Sequence, residues 1–189
     1  MYFADYMVEW LDEIEPEIRA NTYRGYSGNV GNHIVPYFYP RRIKIQELKV
    51  SDLEDFYKYL VFEKSKSDGS EPLSPTTITH IHRCISKALN DAARKGIITV
   101  NVATLARKPH SVKFKSQYLN ERQVNELLKT VKDTPIEVPV TICAVFGLRR
   151  GEVLGLKWKA VDMENRTITI SETLQQHVGG SYTSPPKTE

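Results

Sequence analysis

The sequence has 189 residues with a formal net charge of +3, and its 40% of hydrophobic residues can bury a core, which excludes a mainly disordered chain. Its two cysteines, Cys84 and Cys143, lie far apart, which excludes a disulfide framework and a zinc site. No stretch has the length of a membrane span or the pattern of a signal peptide, so we expect a cytoplasmic protein.

The amino-terminal part of the sequence predicts short helices joined by polar turns. Apolar residues at helical spacing predict a first helix from Phe3 to Ile14, which the following Glu-Pro pair ends. A second helix is predicted to begin after Asn21 as its N-cap and to run as far as Pro36. A third is predicted to start at Ser51 and is followed by a loop rich in Ser, Gly and charge.

A fourth predicted helix has Ser74 as its N-cap, Pro75 at its first position and Gly96 beyond its end. Its apolar residues line one face. Basic residues spaced by three, four and seven positions, or one to two helical turns, line the opposite face, namely His80, Arg83, Lys87 and Arg94. Their spacing predicts a basic stripe, which we interpret as a contact surface for DNA, although a solvated basic face is the alternative.

Charge is unevenly distributed along the chain. Residues 1–17 carry six acidic and no basic residues, whereas residues 83–115 carry eight basic residues and one acidic residue. Such separation is typical of a protein with one face turned towards a polyanion. We expect Lys113 and Lys115 to contribute to that face. They lie in a basic linker, residues 107–117, which divides a helical domain (1–106) from a second domain (118–189).

The second domain is predicted to open with helices and to continue as β-structure. Asn120 and Gln123 have the spacing of a capping box, and Gly147 is predicted to end the next helix. Beyond Trp158, "RTITISETL" alternates in the manner of a strand, and Gly179 and Gly180 predict a turn into another strand.

The stretch "FGLRRGEVLGLKW", residues 146–158, combines charged and apolar residues on one predicted helix. Arg149 and Glu152 are three apart and share a face, whereas Arg150 points about 100° away. The surrounding Val153, Leu154, Leu156 and Trp158 predict a buried setting. We therefore expect Arg149 to be half-buried and oriented by the Glu152 carboxylate, as a clamp for a phosphate group.

The segment "FGLRRGEVLGLKWKAVDMENRTITI" resembles the first active-site segment of the tyrosine recombinases, or phage-integrase family, whose pattern is roughly Gly-x-Arg-x-Gly-Glu-x-x-x-Leu-x-Trp before a β-hairpin. Residues 73–103 are similar to the last helix of that family's core-binding domain. The resemblance implies a mainly α fold. A helical, SAM-like four-helix core-binding domain would precede the α+β amino-terminal part of a catalytic domain with a small antiparallel β-sheet.

The resemblance also implies roles for three residues. Arg149 corresponds to the first catalytic arginine, Glu152 to the acidic residue that supports it, and Lys187 in "SPPKTE" to the lysine of the β-hairpin. A surface lysine is the alternative for Lys187. In this family a tyrosine attacks a DNA phosphodiester and forms a 3′-phosphotyrosine, without metal or cofactor, and the lysine protonates the departing 5′-oxygen.

The family's His-x-x-Arg box and tyrosine nucleophile find no match, so we expect a fragment that binds double-stranded DNA without cleaving it and is monomeric by itself. In a full-length protein we expect copies of the chain to form a tetramer on DNA. Two other interpretations stay open. One is a non-enzymatic helical DNA-binding module or regulator, and the other is a helical protein-interaction domain, which would leave the basic segment unexplained.

Overall fold

The computed structural model describes residues 1–62, 72–109, 115–177 and 180–185 of the chain. The chain divides into two compact units, Met1–Phe114 and Lys115–Glu189. The functional assignment of two domains and a linker stays a prediction. Within the described ranges, no helix combines the length and the apolar character that a membrane crossing requires.

The first unit is helical. Its helices are α1 (Phe3–Ile14), α2 (Ala20–Asn29), α3 (Val35–Phe38), α4 (Val50–Phe62) and α5 (Pro75–Arg94), with a π-helical turn at Val30–Ile34. Short 3₁₀ turns occupy Glu15–Glu17, Tyr39–Arg41, Ile45–Glu47 and Val102–Thr104.

Aromatic side chains and one face of α5 fill the core of the first unit. The rings of Phe3 and Phe38 are 4.9 Å apart, and those of Phe38 and Phe56 are 5.1 Å apart, distances at which aromatic pairs attract. The predicted apolar face of α5 is buried, with Ile78, Ile81, Ile85, Leu89 and Ala92 all inaccessible to solvent. The Tyr6 hydroxyl donates a 2.9 Å hydrogen bond to the Ala88 carbonyl and thereby joins α1 to α5.

Local signals for helix ends were reliable at several positions. The Ser74 hydroxyl accepts a 3.1 Å hydrogen bond from the Thr77 amide at the start of α5. Asn120 and Gln123 form the predicted capping box. Gly147 adopts φ of +65° beyond the second helix of the second unit, a left-handed conformation that glycine reaches without steric cost.

The predicted limits of the second helix are wrong at both ends. The helix begins at Ala20 with Arg19 as its N-cap, and the Arg19 carbonyl accepts the amides of Thr22 and Tyr23. The helical path also continues through Pro36. The π-helical turn resets the hydrogen-bonding pattern just before it, and Pro36 is the second residue of α3, where a missing N–H costs little.

The second unit combines three helices with two small antiparallel sheets. The helices are α6 (Glu121–Val131), α7 (Glu137–Phe146) and α8 (Arg150–Leu154), and the strands are β1 (Val161–Asp162), β2 (Thr167–Ile168), β3 (Thr173–His177) and β4 (Gly180–Ser184). Strand β1 pairs with β2, and β3 pairs with β4 in a register that places Thr173 opposite Ser184. The prediction of a mainly helical chain with small antiparallel β-structure is confirmed.

The second unit buries few apolar side chains. Among its described residues, Val131 and Val153 are the buried aliphatic ones. Leu154 is 52% exposed and Trp158 is 87% exposed, so the predicted burial of these two residues is wrong. Both line an open apolar groove of about 410 Å³, together with Ile142 of α7, and no described residue fills it.

Candidate functional site

Arg149 lies at the amino terminus of α8 rather than inside the helix. Its backbone is extended, with φ of −72° and ψ of 148°, and α8 begins at the next residue, Arg150. Arg149 is therefore the N-cap, and Glu152 is the third residue of the helix. The two side chains meet because of this capping relation, not because both lie on one helical face as the sequence predicted.

The Glu152 carboxylate holds Arg149 at two points. One oxygen, Oε2, accepts the Arg149 backbone amide at 2.9 Å, and the other, Oε1, accepts Nη1 of the guanidinium at 2.9 Å. Glu152 is only 8% exposed. These hydrogen bonds, the backbone bond first, hold the pKa of Glu152 below its ordinary value, so the carboxylate is charged at neutral pH.

The Arg149 guanidinium itself is directed towards solvent. Its side chain is 72% exposed, which differs from the predicted half-burial. Only Nη1 is engaged by Glu152, so the planar fork can still present donors to an anion. The neighbouring Arg150 is exposed as well, but Glu152 does not hold it. The site therefore presents one arginine whose orientation is set and one whose orientation is not.

Two residues of the predicted basic stripe, Lys87 and Arg94, form ion pairs with a buried carboxylate. Asp91 on α5 is 4% exposed and accepts the Trp10 indole N–H at 2.9 Å. Lys87 Nζ lies 2.8 Å and Arg94 Nη2 lies 2.9 Å from its oxygens. Burial by itself would raise the pKa of Asp91, but the hydrogen bonds from Lys87 and Trp10, together with the charges of Lys87 and Arg94, outweigh it and lower the pKa.

The other two residues of the stripe, His80 and Arg83, are exposed, and Arg83 forms no ion pair within the described ranges. Next to Arg83, the His82 Nδ1 lies 2.9 Å from the Tyr57 hydroxyl. Burial, with contributions from Lys108 and Arg83, lowers the pKa of His82. Lys108 therefore belongs to the same positive surface.

The sequence places Lys108 in the basic linker, residues 107–117, but does not single it out as a site residue, because helical periodicity carries no information on its position. The fold brings this segment back to the helices, and the Arg107 amide donates a 2.9 Å hydrogen bond to Glu54 of α4. Lys115 is exposed. Two other predicted site residues, Lys113 and Lys187, lie outside the described residues. In the part of the chain that the structure describes, no three His, Cys, Asp or Glu side chains converge as metal ligands.

Comparison with known proteins connects both units to integrases. Residues 2–61 match the phage integrase N-terminal SAM-like domain. An integrase of Saccharopolyspora erythraea is 25% identical over 182 residues, covering 96% of this chain and 40% of that protein. The ICEBs1 integrase of Bacillus subtilis (strain 168) is 21% identical over 182 residues, covering 95% and 47% respectively. The chain thus spans less than half the length of these relatives.

Solved structures have the same fold. The Tn1549 transposon integrase in complex with a circular intermediate DNA matches with a TM-score of 0.80 and 22% identity, over 100% of this chain and 58% of that one. A lambda integrase tetramer bound to a Holliday junction matches with a TM-score of 0.67 and 15% identity, over 98% and 51%. Together with the sequence relatives, these matches show that the chain is similar in sequence and in fold to phage integrases.

Proposed function

We propose that this chain is the DNA-binding part and the amino-terminal catalytic part of a site-specific tyrosine recombinase. The whole protein cleaves and rejoins DNA strands through a 3′-phosphotyrosine intermediate, without metal or cofactor. The observation that carries this proposal is the buried Glu152 carboxylate, which holds the Arg149 amide and guanidinium and leaves the arginine exposed. The similarity to phage integrases, and the DNA bound in the matched integrase structures, support it.

In this proposal Arg149 binds the phosphate, and Glu152 orients Arg149. The guanidinium binds a non-bridging oxygen of the scissile phosphate and stabilises the charge that develops during attack. Because an oriented donor needs little reorganisation during the reaction, it is more effective than a mobile one. Lys187 is proposed as the general acid for the leaving 5′-oxygen.

The first unit supplies DNA affinity through its positive surface. Arg83, Lys108 and His80 are proposed to contact phosphates, because they are exposed. Lys115, the first residue of the second unit, is exposed as well and is proposed as a separate phosphate contact. Lys87 and Arg94 contribute less, because Asp91 already neutralises part of their charge. Double-stranded DNA is therefore the proposed partner in the cytoplasm. Further copies of the protein would join it in a synaptic tetramer on DNA, whereas the 189-residue chain alone is monomeric.

Binding of the 189-residue chain to duplex DNA tests the first half of this proposal. With four to six phosphate contacts, log K should fall against log salt with a slope of about −4 to −5. Fluorescence anisotropy with a labelled duplex between low and moderate salt measures it. Affinity that does not change with salt would contradict the proposal.

Cleavage by a recombinase that contains this chain tests the second half. Arg149→Ala should reduce the cleavage rate on the order of 10² to 10³, while DNA affinity stays within a few-fold. Arg149→Lys should remain slow, because an ammonium cannot make the planar, two-pronged contact. Arg150→Ala is the matched control, and it should cost far less. If both alanine variants were equally slow, or both equally active, the assignment of the phosphate-binding role to Arg149 would be wrong.

A further inference from the structure

Strand β3 lies against α8 at a place where the helix has no side chains. A Cβ atom at Gly151 would lie 2.7 Å from Cγ2 of Thr173 and 3.0 Å from the Leu174 carbonyl oxygen. A Cβ atom at Gly155 would lie 2.9 Å from both the Glu172 carbonyl oxygen and the Leu174 nitrogen. Because such distances are shorter than ordinary carbon contacts, β3 could not occupy this position beside alanine at either site.

Space, and not backbone conformation, is what these two glycines provide. Gly155 has φ of −87° and ψ of −6°, which any residue adopts, and Gly151 lies within α8 without a positive φ. Close approach of another backbone is the remaining physical reason for glycine at these positions.

Glu172, which immediately precedes β3, connects the same elements through polar contacts. Its carboxylate contacts Lys157, just beyond α8, and lies 4.0 Å from Nζ of Lys159. A hydrogen bond with Thr183 extends the connection to β4. The hydrogen bond from Lys157, followed by the nearby charges, lowers the pKa of Glu172. The state of Glu172 therefore reports whether the hairpin formed by β3 and β4 is in place.

We propose that Gly151 and Gly155 are positioning residues of the candidate site: they let the β3–β4 hairpin lie directly on α8 and so fix it relative to the Arg149 guanidinium. The functional meaning of this arrangement rests on the proposed function. A phosphate bound by Arg149 is then approached by the hairpin from a fixed direction. Catalytic contacts lose effectiveness when they are displaced by about 1 Å, which is the order of movement that an added methyl group demands.

Titration of the glutamate side chains by carbon-13 NMR tests this proposal on the 189-residue chain without DNA. In Gly155→Ala, we expect Glu172 to lose its lowered pKa because the hairpin moves away from Lys157. Glu152 should keep its lowered pKa, because its partner Arg149 belongs to the helix itself. Gly25→Ala is the matched helical control, since a Cβ atom there meets nothing within 4 Å, and it should change neither value.

A second substitution separates the two contacts. Thr173→Ser removes the Cγ2 atom, which is the nearest obstruction to a side chain at residue 151, and leaves the Leu174 carbonyl oxygen at 3.0 Å. It should therefore restore part of the lowered pKa of Glu172 in Gly151→Ala. It should not restore it in Gly155→Ala, where the obstruction is backbone. An unchanged Glu172 pKa in both alanine variants would overturn the proposal. So would loss of the Glu152 shift, which would mean that the glycines maintain the helix, or a failed rescue at residue 151. Since the titration contains no DNA, its outcome is independent of the salt-dependence test.

Discussion

Asp91→Asn should make the first unit less stable and, at the same time, increase its affinity for DNA. The substitution keeps an oxygen that can accept the Trp10 indole N–H but removes the charge that binds Lys87 and Arg94. A hydrogen bond to a charged group contributes about 1 kcal/mol more than one to a neutral group. Each of the two ion pairs, whose basic side chains are 46% and 73% exposed, contributes about 0.2–1 kcal/mol.

The expected loss is therefore about 2 kcal/mol, or about 10 °C in the melting temperature of a unit of this size. The loss should depend on pH. Because the folded state lowers the pKa of Asp91, its contribution is complete above the ordinary aspartate pKa of about 4 and disappears as the pH falls through the lower folded value. Thermal melts of the two proteins should converge in acid.

The gain in DNA affinity follows from the same charge. A carboxylate about 7 Å from a phosphate in water repels it by about 0.6 kcal/mol, so its removal should tighten binding about threefold at low salt. Lys87 and Arg94 are also released for phosphate contacts, which should steepen the salt slope by up to about 1.8. Asp55→Asn, which removes a carboxylate paired with Lys58 at an exposed position on α4, is the matched control. Unchanged or weaker binding by folded Asp91→Asn would refute α5 as a DNA-binding face.

Two further predictions concern stability. Arg42 has φ of +50°, and its guanidinium carbon lies 4.8 Å from the centre of the Tyr39 ring. Arg42→Gly should be more stable than Arg42→Ala by about 1 kcal/mol in urea denaturation, because both lose the ring contact but only glycine relieves the left-handed backbone. Equal stability of the two variants would contradict this. The isolated unit Met1–Phe114 should unfold in one cooperative thermal transition. The isolated unit Lys115–Glu189 should give a broad transition and bind a hydrophobic dye, because its described residues bury so few apolar side chains. A sharp transition of Lys115–Glu189 would contradict the expectation.

Signals that act within one turn of the chain could be interpreted from the sequence, whereas tertiary contacts could not. Ser74 and Gly147 are correct because a cap depends on the residues beside it. The prediction that the second helix ends at Pro36 is wrong because a π-helical turn rearranges the hydrogen bonds before the proline, and residue composition does not indicate such a turn. Lys87 and Arg94 lie within one turn of Asp91, so their pairing with it agrees with local spacing, whereas the burial of Asp91 and its hydrogen bond from Trp10 are tertiary.

The Arg149–Glu152 pair shows why the sequence predicted the right partners with the wrong burial. Either member of an ion pair next to apolar residues can be the buried one, and periodicity does not distinguish them. The carboxylate is the less costly group to bury here, because the helix amino terminus offers it a backbone N–H and a favourable dipole as well as the guanidinium. A buried arginine at the same place would need acceptors, which an amino terminus lacks. Burial of Glu152 therefore leaves Arg149 oriented and exposed, as the phosphate-binding role that we propose for it requires.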